Sequence, residues 1–386
     1  MNPQLRACAA LVVATLILSV MLYVPVSAQG LTTSRRAAPS PIYIGQVIPL
    51  TGPRAGVGVY LQAAAQLALD QINAQGGING RLLQLVLADD QSTPGGGIAA
   101  FQRLVGSDHG VSAILGPNFS KEILPMLPYI RREGIPIIIG GTAPILTQVG
   151  NPWIFRTRPN SFSEAKVLAT FVGKTLHLTK IALLHADDTG SAAENAAMSA
   201  DLQALGLTPV TDQSFTNGAS DMTGQLKAIK AAGATAIISV NTFPLDSLTT
   251  GRQMQQLGLH LTLVGSPNFA GPDEYPSPFL YGTYAVTDYV ANQSPEAVAF
   301  DAGMKAQFHL AGGSVAYAYD GLKMLVLVMR QVGIDPRAVR QGLLAIKGYH
   351  GAEGTYTFDR SGDGLHQDTI VQNVQGHLRI VKVVTF

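Results

Sequence analysis

Residues 42–88 read IYIGQVIPLTGPRAGVGVYLQAAAQLALDQINAQGGINGRLLQLVLA, and this stretch decides the fold class. Its first seven residues form an apolar run that is typical of a buried strand. Apolar and alanine residues then recur at helical spacing over 57–72, and Gly76-Gly77 ends the helix. A second apolar run at 82–88 is also strand-like. A strand, a helix and a second strand in this order predict one unit of a parallel sheet.

The same alternation continues through most of the chain. Five more strands are predicted, at 111–115, 135–139, 181–185, 236–240 and 261–264, with helical segments between most of them. The C-terminal part differs, because three helices follow one another (295–310, 316–332 and 336–346) before three short strands (356–358, 370–374 and 378–384). Two α/β series in a chain of 386 residues predict two lobes, each with a parallel sheet that helices cover on both faces.

The composition is that of a folded protein without a strong electrostatic preference. Hydrophobic residues make up 47% of the chain, charged residues make up 13%, and the formal net charge is +1. No dense run of lysine and arginine occurs beyond the pairs Arg35-Arg36 and Arg131-Arg132. These values argue against binding to nucleic acid or to an anionic membrane surface.

The first 28 residues have the pattern of a secretory signal peptide. A positive residue, Arg6, precedes an apolar run at 11–24, and Val26-Ser27-Ala28 follows it. The run is shorter than the ~20 residues of a membrane-spanning helix, and Cys8, the single cysteine, lies before it rather than at a lipoprotein position after it. We therefore predict cleavage after residue 28, a flexible leader over 29–41, and a periplasmic or otherwise extracytoplasmic protein without cysteine.

Three local patterns imitate enzyme or metal sites, and each lacks an essential part. The loop 52–58 does not have the Gly-x-Gly-x-x-Gly order of a dinucleotide site, and the Tyr319/Lys323 pair lies far downstream among helices. The stretch 312–316 lacks the last glycine of a nucleophile elbow. The turn 359–364 starts like a calcium loop, but an isoleucine stands where the closing glutamate belongs. We predict no enzymatic activity, no metal site and no cofactor.

Polar residues follow two predicted strands in the first half of the chain. Ser120 comes after the strand-end pair Gly116-Pro117, and Gly140-Gly141-Thr142 follows the next strand. Ligands of open parallel sheets bind at the carboxyl ends of the strands, where hydroxyl and backbone N–H groups can hold an anionic or carbonyl oxygen. Each hydroxyl alone is as well explained by a helix cap, but together they predict one shared site.

Several motifs resemble the branched-chain amino acid (leucine/isoleucine/valine) binding proteins, which are type I periplasmic binding proteins. The run INAQGGINGR at 72–81 is specific, and the likeness continues in Leu115-Gly116-Pro117, Phe155-Arg156-Thr157 and the segment 351–363. The resemblance covers essentially the whole chain after the leader. It implies two doubly wound α/β lobes that are joined by a three-segment hinge and close on a ligand. Its boundaries place lobe 1 at 42–160 plus 292–350, and lobe 2 at 161–291 plus 351–386.

The resemblance also implies a ligand site. Ser120 aligns with the serine that binds the ligand carboxylate, and Thr142 aligns with its hydroxyl partner for the carboxylate and the amino group. Gly140, or less directly Gly141, offers a backbone group, while Phe243 of the second lobe covers the ligand. The complete set of ligand-binding positions implied in this way is Ser120, Gly140, Gly141, Thr142, Thr189, Phe243, Val57 and Pro267.

Two of these positions depart from the family pattern. Pro267 stands where the family has a carboxylate for the amino group of the ligand, and Thr189 stands where it has a tyrosine. A buried ammonium without a carboxylate is unfavourable, on the order of several kcal/mol. We therefore predict a ligand with a carboxylate, carbonyl or amide group and no free α-amino group, unless Asp246 or Asp273 replaces the missing acid.

The function implied by the resemblance is that of an extracytoplasmic solute-binding protein. It would act as a monomer and hand a small molecule to the membrane permease of an ABC importer, with no cofactor and no nucleic-acid partner. A sensor module of the same fold that is not coupled to transport is the alternative, because fold analogy does not separate the two.

Overall fold

The computed structural model describes residues 39–108 and 110–386. The predicted signal peptide and the predicted leader up to residue 38 lie outside these ranges. Within them, no helix combines the length and the apolar character that crossing a membrane requires.

Strands and helices alternate along the described ranges as the sequence predicts. The strands are β1 (Ile42–Ile48), β2 (Leu83–Asp89), β3 (Ala113–Leu115), β4 (Ile137–Ile139), β5 (Ile154–Arg156), β6 (Ile181–Ala186), β7 (Thr211–Phe215), β8 (Ala236–Val240), β9 (Thr262–Gly265), β10 (Tyr284–Thr287), β11 (Lys347–His350), β12 (Thr355–Thr357), β13 (Gln367–Val374) and β14 (His377–Thr385). The helices are α1 (Ala55–Ala74), α2 (Pro94–Val105), α3 (Ser120–Ile123), α4 (Leu127–Glu133), α5 (Ile145–Gln148), α6 (Ser161–Thr170), α7 (Thr189–Ala204), α8 (Thr223–Ala231), α9 (Pro244–Gln256), α10 (Pro295–Phe308), α11 (Ala316–Val332) and α12 (Pro336–Leu344).

The first sheet is parallel throughout and has the strand order β2-β1-β3-β4-β5. Its inner strand β1 is buried on both faces, which explains why its sequence is a nearly continuous apolar run. Ile44 packs in the buried cluster that contains α1 and α11, whereas Val47 packs with Phe101 and Leu104 of α2. Helices on both faces of a parallel sheet confirm the doubly wound architecture.

The second sheet has seven strands in the order β14-β13-β10-β9-β8-β6-β7. The five strands from β10 to β7 pair in parallel, but β13 pairs antiparallel with β10, and β14 pairs antiparallel with β13. The second lobe thus has the predicted parallel sheet with an antiparallel edge added to it. For β14 the cause is the two-residue connection Gln375-Gly376, where both residues have positive φ (50° and 82°) and form a hairpin turn that joins only antiparallel strands.

The chain passes between the two sheets three times. It leaves the first sheet after β5, returns after β10 to form α10, α11 and α12 against α1, and enters the second sheet again at β13. The resemblance places the segment 351–365 in the second lobe. Its buried side chains Ala352, Tyr356, Phe358 and Leu365 lie instead in the same cluster as α1 and α11 of the first lobe.

Candidate ligand-binding site

A cavity of about 900 Å³ lies between the carboxyl ends of the two sheets. Its walls come from the loops after β3 and β4 on one side and from the loops after β6, β8 and β9 on the other. The cavity is near the upper end of the roughly 300–1,000 Å³ that small-molecule sites occupy. The cavity therefore lies at the carboxyl ends of the strands, where ligands of open parallel sheets bind.

Ser120 and Thr142 both line this cavity on the first lobe. The Ser120 Oγ accepts a hydrogen bond from the Ala143 N–H at 3.1 Å, so the hydroxyl proton of Ser120 can be donated to a ligand. The Thr142 carbonyl accepts the N–H of Ser161 at 3.0 Å, whereas its hydroxyl makes no hydrogen bond within the described residues. Two residues with hydroxyl groups therefore line one space.

Arg156 holds the Thr142 loop from behind. Its guanidinium is completely buried and donates to the Ala143 carbonyl at 2.9 Å and to the Gly141 carbonyl at 3.4 Å. The same group forms a two-point ion pair with Asp363, with both hydrogen bonds at 2.9 Å. The loop that carries Thr142 is thereby fixed to the turn that precedes β13.

Thr189 lines the second-lobe wall at the start of α7. The residue before it, Asp188, caps this helix by accepting the N–H groups of Gly190 at 3.1 Å and Ser191 at 3.2 Å. Asp188 also accepts the Thr242 hydroxyl at 2.9 Å, which ties the loop after β6 to the loop after β8. The Asp188 carboxylate thus makes these hydrogen bonds within the second lobe, and Thr189 lines the cavity.

Pro267 also lines the cavity, within a loop whose polar groups satisfy one another. The amide of the neighbouring Asn268 donates to the carbonyl of Asn241 at 3.0 Å and to its side-chain oxygen at 2.9 Å. The Ser266 hydroxyl bonds the Asn241 backbone at 3.3 Å. In the resembling family the position of Pro267 holds a carboxylate. Here the residues on either side of Pro267 form a network of neutral hydrogen-bonding groups instead.

The other predicted positions divide into two groups. Gly140 and Val57 line the cavity, whereas Gly141 and Phe243 are not among its lining residues. Gly141 lies behind the wall, against the side chains of Ile123 and Leu146. The ring of Phe243 lies beside Gly218, and its chain neighbours on either side reach the cavity in its place.

The two acids suggested as replacements for the missing carboxylate have different places. Asp246 is buried outside the cavity lining and accepts the Gly218 N–H at 3.0 Å, and burial raises the pKa of Asp246 to about 6. Asp273 lines the cavity and accepts the hydroxyl of Tyr60 at 2.7 Å. Since Tyr60 belongs to α1, this hydrogen bond joins the two lobes across the cleft.

Sequence reasoning missed three glutamates in the cavity wall: Glu164, Glu194 and Glu274. Burial, with Asp273 nearby, raises the pKa of Glu274 to about 7. A signal for the first two exists in the sequence. Glu164 belongs to the buried set at 161, 164, 165 and 168 of α6, and Glu194 belongs to the set at 191, 194, 195, 198 and 202 of α7. Acidic residues are rarely buried, so an acid on the buried face of a helix indicates a candidate site residue.

Residues 41–377 match the protein family that is described as periplasmic binding protein. The chain belongs to this family. A relative with the name Leu/Ile/Val-binding protein BraC3, from Rhizobium johnstonii, is 28% identical over 329 residues, which are 83% of this chain and 88% of the relative.

Two solved structures illustrate how this periplasmic binding protein resembles others in fold. The branched-chain amino acid transporter substrate-binding protein LivJ from Streptococcus pneumoniae, in complex with isoleucine, superposes with a TM-score of 0.81 at 22% identity and covers 90% of this chain and 99% of its own. A solute-binding protein of an ABC transporter from R. palustris, in complex with benzoate, gives a TM-score of 0.81 at 18% identity, with coverages of 89% and 96%. The fold is therefore the two-lobed type I fold. The matched family is one of binding proteins and not a class of enzymes.

Residues of two sequence patterns that imitate an enzyme or metal site make hydrogen bonds with neighbouring residues of the fold. Tyr319 accepts the Lys323 ammonium at 2.9 Å and donates to Gln71 at 2.7 Å, away from the cavity lining. Asp359 accepts backbone N–H groups of its own turn, and no cluster of metal ligands occurs in the ranges 39–108 and 110–386.

Proposed function

We propose that this periplasmic binding protein is the extracytoplasmic receptor of an ABC importer and that it traps a small ligand with a carboxylate, carbonyl or amide group. One observation carries the proposal: two hydroxyl-bearing residues, Ser120 and Thr142, line a cavity whose opposite wall belongs to the other lobe. A ligand held in this way contacts both lobes and therefore favours the closed arrangement over the open one.

The chemistry of the first-lobe wall supports this class of ligand. Hydroxyl and backbone N–H donors at a strand end suit an oxygen that carries negative charge. The ligands of the two structural neighbours, isoleucine and benzoate, share a carboxylate and differ in everything else. The neutral network around Pro267 supports the absence of a family-type contact to an α-amino group at that loop.

The remaining parts of the proposal follow from the family. An importer receptor works outside the cytoplasm, so the proposal includes a cleaved signal peptide over 1–28, a periplasmic location, a monomeric state and a membrane permease as partner. A sensor of the same fold would bind its ligand equally well, so uptake of the ligand by cells with and without the gene separates transport from sensing.

A thermal-shift screen of the exported protein against amino acids, aromatic acids, aliphatic acids and amides tests the ligand class. A ligand at a hundredfold its dissociation constant stabilises the folded state by about 2.7 kcal/mol, which raises the melting temperature by several degrees. We expect shifts with compounds that bear a carboxylate or an amide. The absence of a shift with every compound of the panel would contradict the proposal.

A further inference from the structure

The second-lobe wall of the cavity carries two glutamates on neighbouring helices. Glu164 lies in the first turn of α6 and Glu194 in the second turn of α7. Both line the cavity, as does Arg158, which lies in the segment that joins β5 to α6. Neither glutamate belongs to a strand-end loop, and neither lies near the Pro267 loop in sequence. They form an acidic part of the wall that the contacts of Ser120 and Thr142 do not explain.

Both side chains are almost fully buried and incompletely bonded. Glu164 is 2% exposed and Glu194 is 6% exposed. In each of them Oε1 has no hydrogen-bond partner within the described residues. Buried polar atoms in native proteins nearly always have a partner, and an unpaired buried carboxylate is strongly unfavourable. Because each Oε1 is also closed to solvent, an ionised carboxylate at either position is incompletely compensated, and a cationic group of a ligand in the adjoining cavity would supply the compensation.

The nearby cations offset these acids only in part, because each already forms an ion pair. Arg158 forms an ion pair with Asp288 at 2.5 Å, and Arg156 forms one with Asp363 at 2.8 Å. The groups whose charge acts on the two glutamates are Arg156, Arg158, Asp188, Asp288 and each other. A buried aspartate, Asp368, also lies within electrostatic reach and has no hydrogen-bond partner for either oxygen among the described residues. When the two glutamates are ionised the local charge balance is negative, and a positive group of the ligand would offset it.

We infer that Glu164 and Glu194 form a subsite for a cationic nitrogen of the ligand, an ammonium or amidinium group that donates N–H bonds to their carboxylate oxygens. The inference rests on the proposed function, since the carboxylate or carbonyl end of the same ligand binds to Ser120 and Thr142. The ligand is then charged or polar at both ends and joins one lobe to the other. Its cationic group lies at helices α6 and α7, and not at the loop where the family binds an α-amino group.

The titration of the two acids gives the subsite a pH dependence. Burial raises the pKa of Glu164 to about 7, against the opposing effect of Arg158. Burial and the neighbouring Glu164 raise the pKa of Glu194 well above the ordinary glutamate range. Without a cation Glu164 therefore takes up a proton near neutral pH and Glu194 favours its protonated form, whereas a cation binds the ionised forms. Cation binding releases protons, so the affinity for the cation increases as the pH rises through 7.

Titration calorimetry with matched compounds tests the subsite in the exported protein. The cationic probes are β-alanine, γ-aminobutyrate and 5-aminopentanoate, and the matched probes are propionate, butyrate and pentanoate. At pH 8 we expect at least one amino compound to bind roughly tenfold or more tightly than its matched acid. We expect Glu164→Gln and Glu194→Gln to abolish this difference, and we expect pH 5.5 to reduce it in the wild type.

Two controls separate the subsite from the proposed function and from misfolding. Asp246→Asn changes another buried acid of the same lobe outside the cavity lining and should keep the preference for the amino compound. The melting temperatures of all variants without ligand report folding. Equal binding of each amino compound and its matched acid overturns the subsite and leaves the proposed function intact. A preference that survives the double substitution also overturns it. No binding by any of the six probes overturns the subsite, whereas the proposed function falls only if the thermal-shift screen also finds no ligand.

Discussion

At the scale of the residue, Arg156 joins two motifs that are more than two hundred positions apart. The motif Phe155-Arg156-Thr157 and the turn at 359–363 are separate features of the sequence, and the ion pair of Arg156 with Asp363 unites them. The same guanidinium donates to the loop that presents Thr142. One buried side chain therefore couples a hinge segment to the ligand site.

Replacing Arg156 should lower both stability and ligand affinity. Arg156→Ala leaves Asp363 and two backbone carbonyls without their donor, and breaking a buried ion pair in this way costs about 3–5 kcal/mol. Chemical denaturation measures the change in the free energy of unfolding. The matched change Arg132→Ala removes an exposed arginine, paired with its neighbour Glu133, and should cost less than about 1 kcal/mol. Equal effects of the two substitutions would refute the role of Arg156.

Glu274 should make the stability of the ligand-free protein fall with rising pH. The folded protein keeps the Glu274 carboxyl protonated up to about pH 7 because burial raises its pKa, whereas an unfolded glutamate ionises near pH 4.3. The stability that Glu274 contributes is therefore complete below about pH 4 and is lost as the pH rises through 7. Glu274→Gln should reduce the decrease in unfolding free energy between pH 5 and pH 8 by roughly 2 kcal/mol. The exposed Glu296→Gln serves as control, and an unchanged pH profile of the Glu274 variant would contradict the prediction.

The sequence predicts the hydroxyls of the site better than its acids. Ser120 and Thr142 follow strands, so the topology of a parallel sheet brings them together whatever the loops do in detail. Glu164 and Glu194 lie inside helices, and their approach depends on how α6 and α7 pack. Sequence spacing places an acid on the buried face of one helix, but it does not say which side chain of another helix lies opposite.

At the scale of the element, the start of α1 depends on a glycine that permits close packing. A Cβ atom on Gly58 would come within 1.9 Å of the Pro49 carbonyl oxygen at the end of β1, so only glycine fits between this helix and the strand. A Cβ atom on Gly56, one position nearer the helix start than Val57, would have no other atom within 4 Å. The first turn of one helix thus contains a restricted glycine and an unrestricted one.

Alanine substitutions at these two positions should have opposite effects. Gly58→Ala should destabilise the protein by about 1–3 kcal/mol, because the helix must move away from the strand. Gly56→Ala should leave stability unchanged or raise it by up to about 1 kcal/mol, because alanine has the higher helix propensity. Thermal or chemical unfolding of both variants measures the difference. If both substitutions changed the free energy of unfolding in the same direction and by the same amount, the contact with Pro49 would be unimportant.

The long helices and most apolar strands were predictable, whereas the short helices α4 and α5 and several short or polar strands were not. α11 has the predicted bounds, since its apolar residues recur with helical period over seventeen positions. β7 has the sequence TDQSF and lies at a sheet edge, where its side chains are largely exposed, so no apolar alternation identifies it. β5 has three residues, too few for a periodic pattern. The antiparallel partner strand β13 is predictable as a strand, but its direction depends on tertiary pairing.

At the scale of the whole molecule, the lobes contact each other across the cleft through Tyr60 and Asp273. Their hydrogen bond of 2.7 Å connects α1 of the first lobe to the wall of the second. The cavity itself is bounded by both lobes, so a hinge motion that separates them opens it. Two lobes and their order along the chain follow from the alternation of strands and helices, whereas this particular contact was not predictable from sequence.

Tyr60→Phe should weaken the closed arrangement and with it ligand binding. The change removes one hydrogen bond to a carboxylate and leaves the ring in place, which corresponds to a roughly 2- to 10-fold loss of affinity. Small-angle X-ray scattering of the ligand-free variant should give a radius of gyration that is equal to or larger than that of the wild type. The control Tyr281→Phe removes a hydroxyl whose bond, to the Pro276 carbonyl, lies within the second lobe. A Tyr281 variant that loses as much affinity as the Tyr60 variant would contradict this role.

The central claim is that the hydroxyls of Ser120 and Thr142 bind the oxygen-bearing end of a ligand between the lobes. Titration calorimetry tests it most directly, with the compound that gives the largest shift in the thermal screen and with wild-type protein and the Ser120→Ala/Thr142→Val double variant. We predict a roughly 100-fold or greater loss of affinity in the double variant, with its melting temperature within a few degrees of the wild type. Equal affinity of the two proteins for that compound would contradict the account.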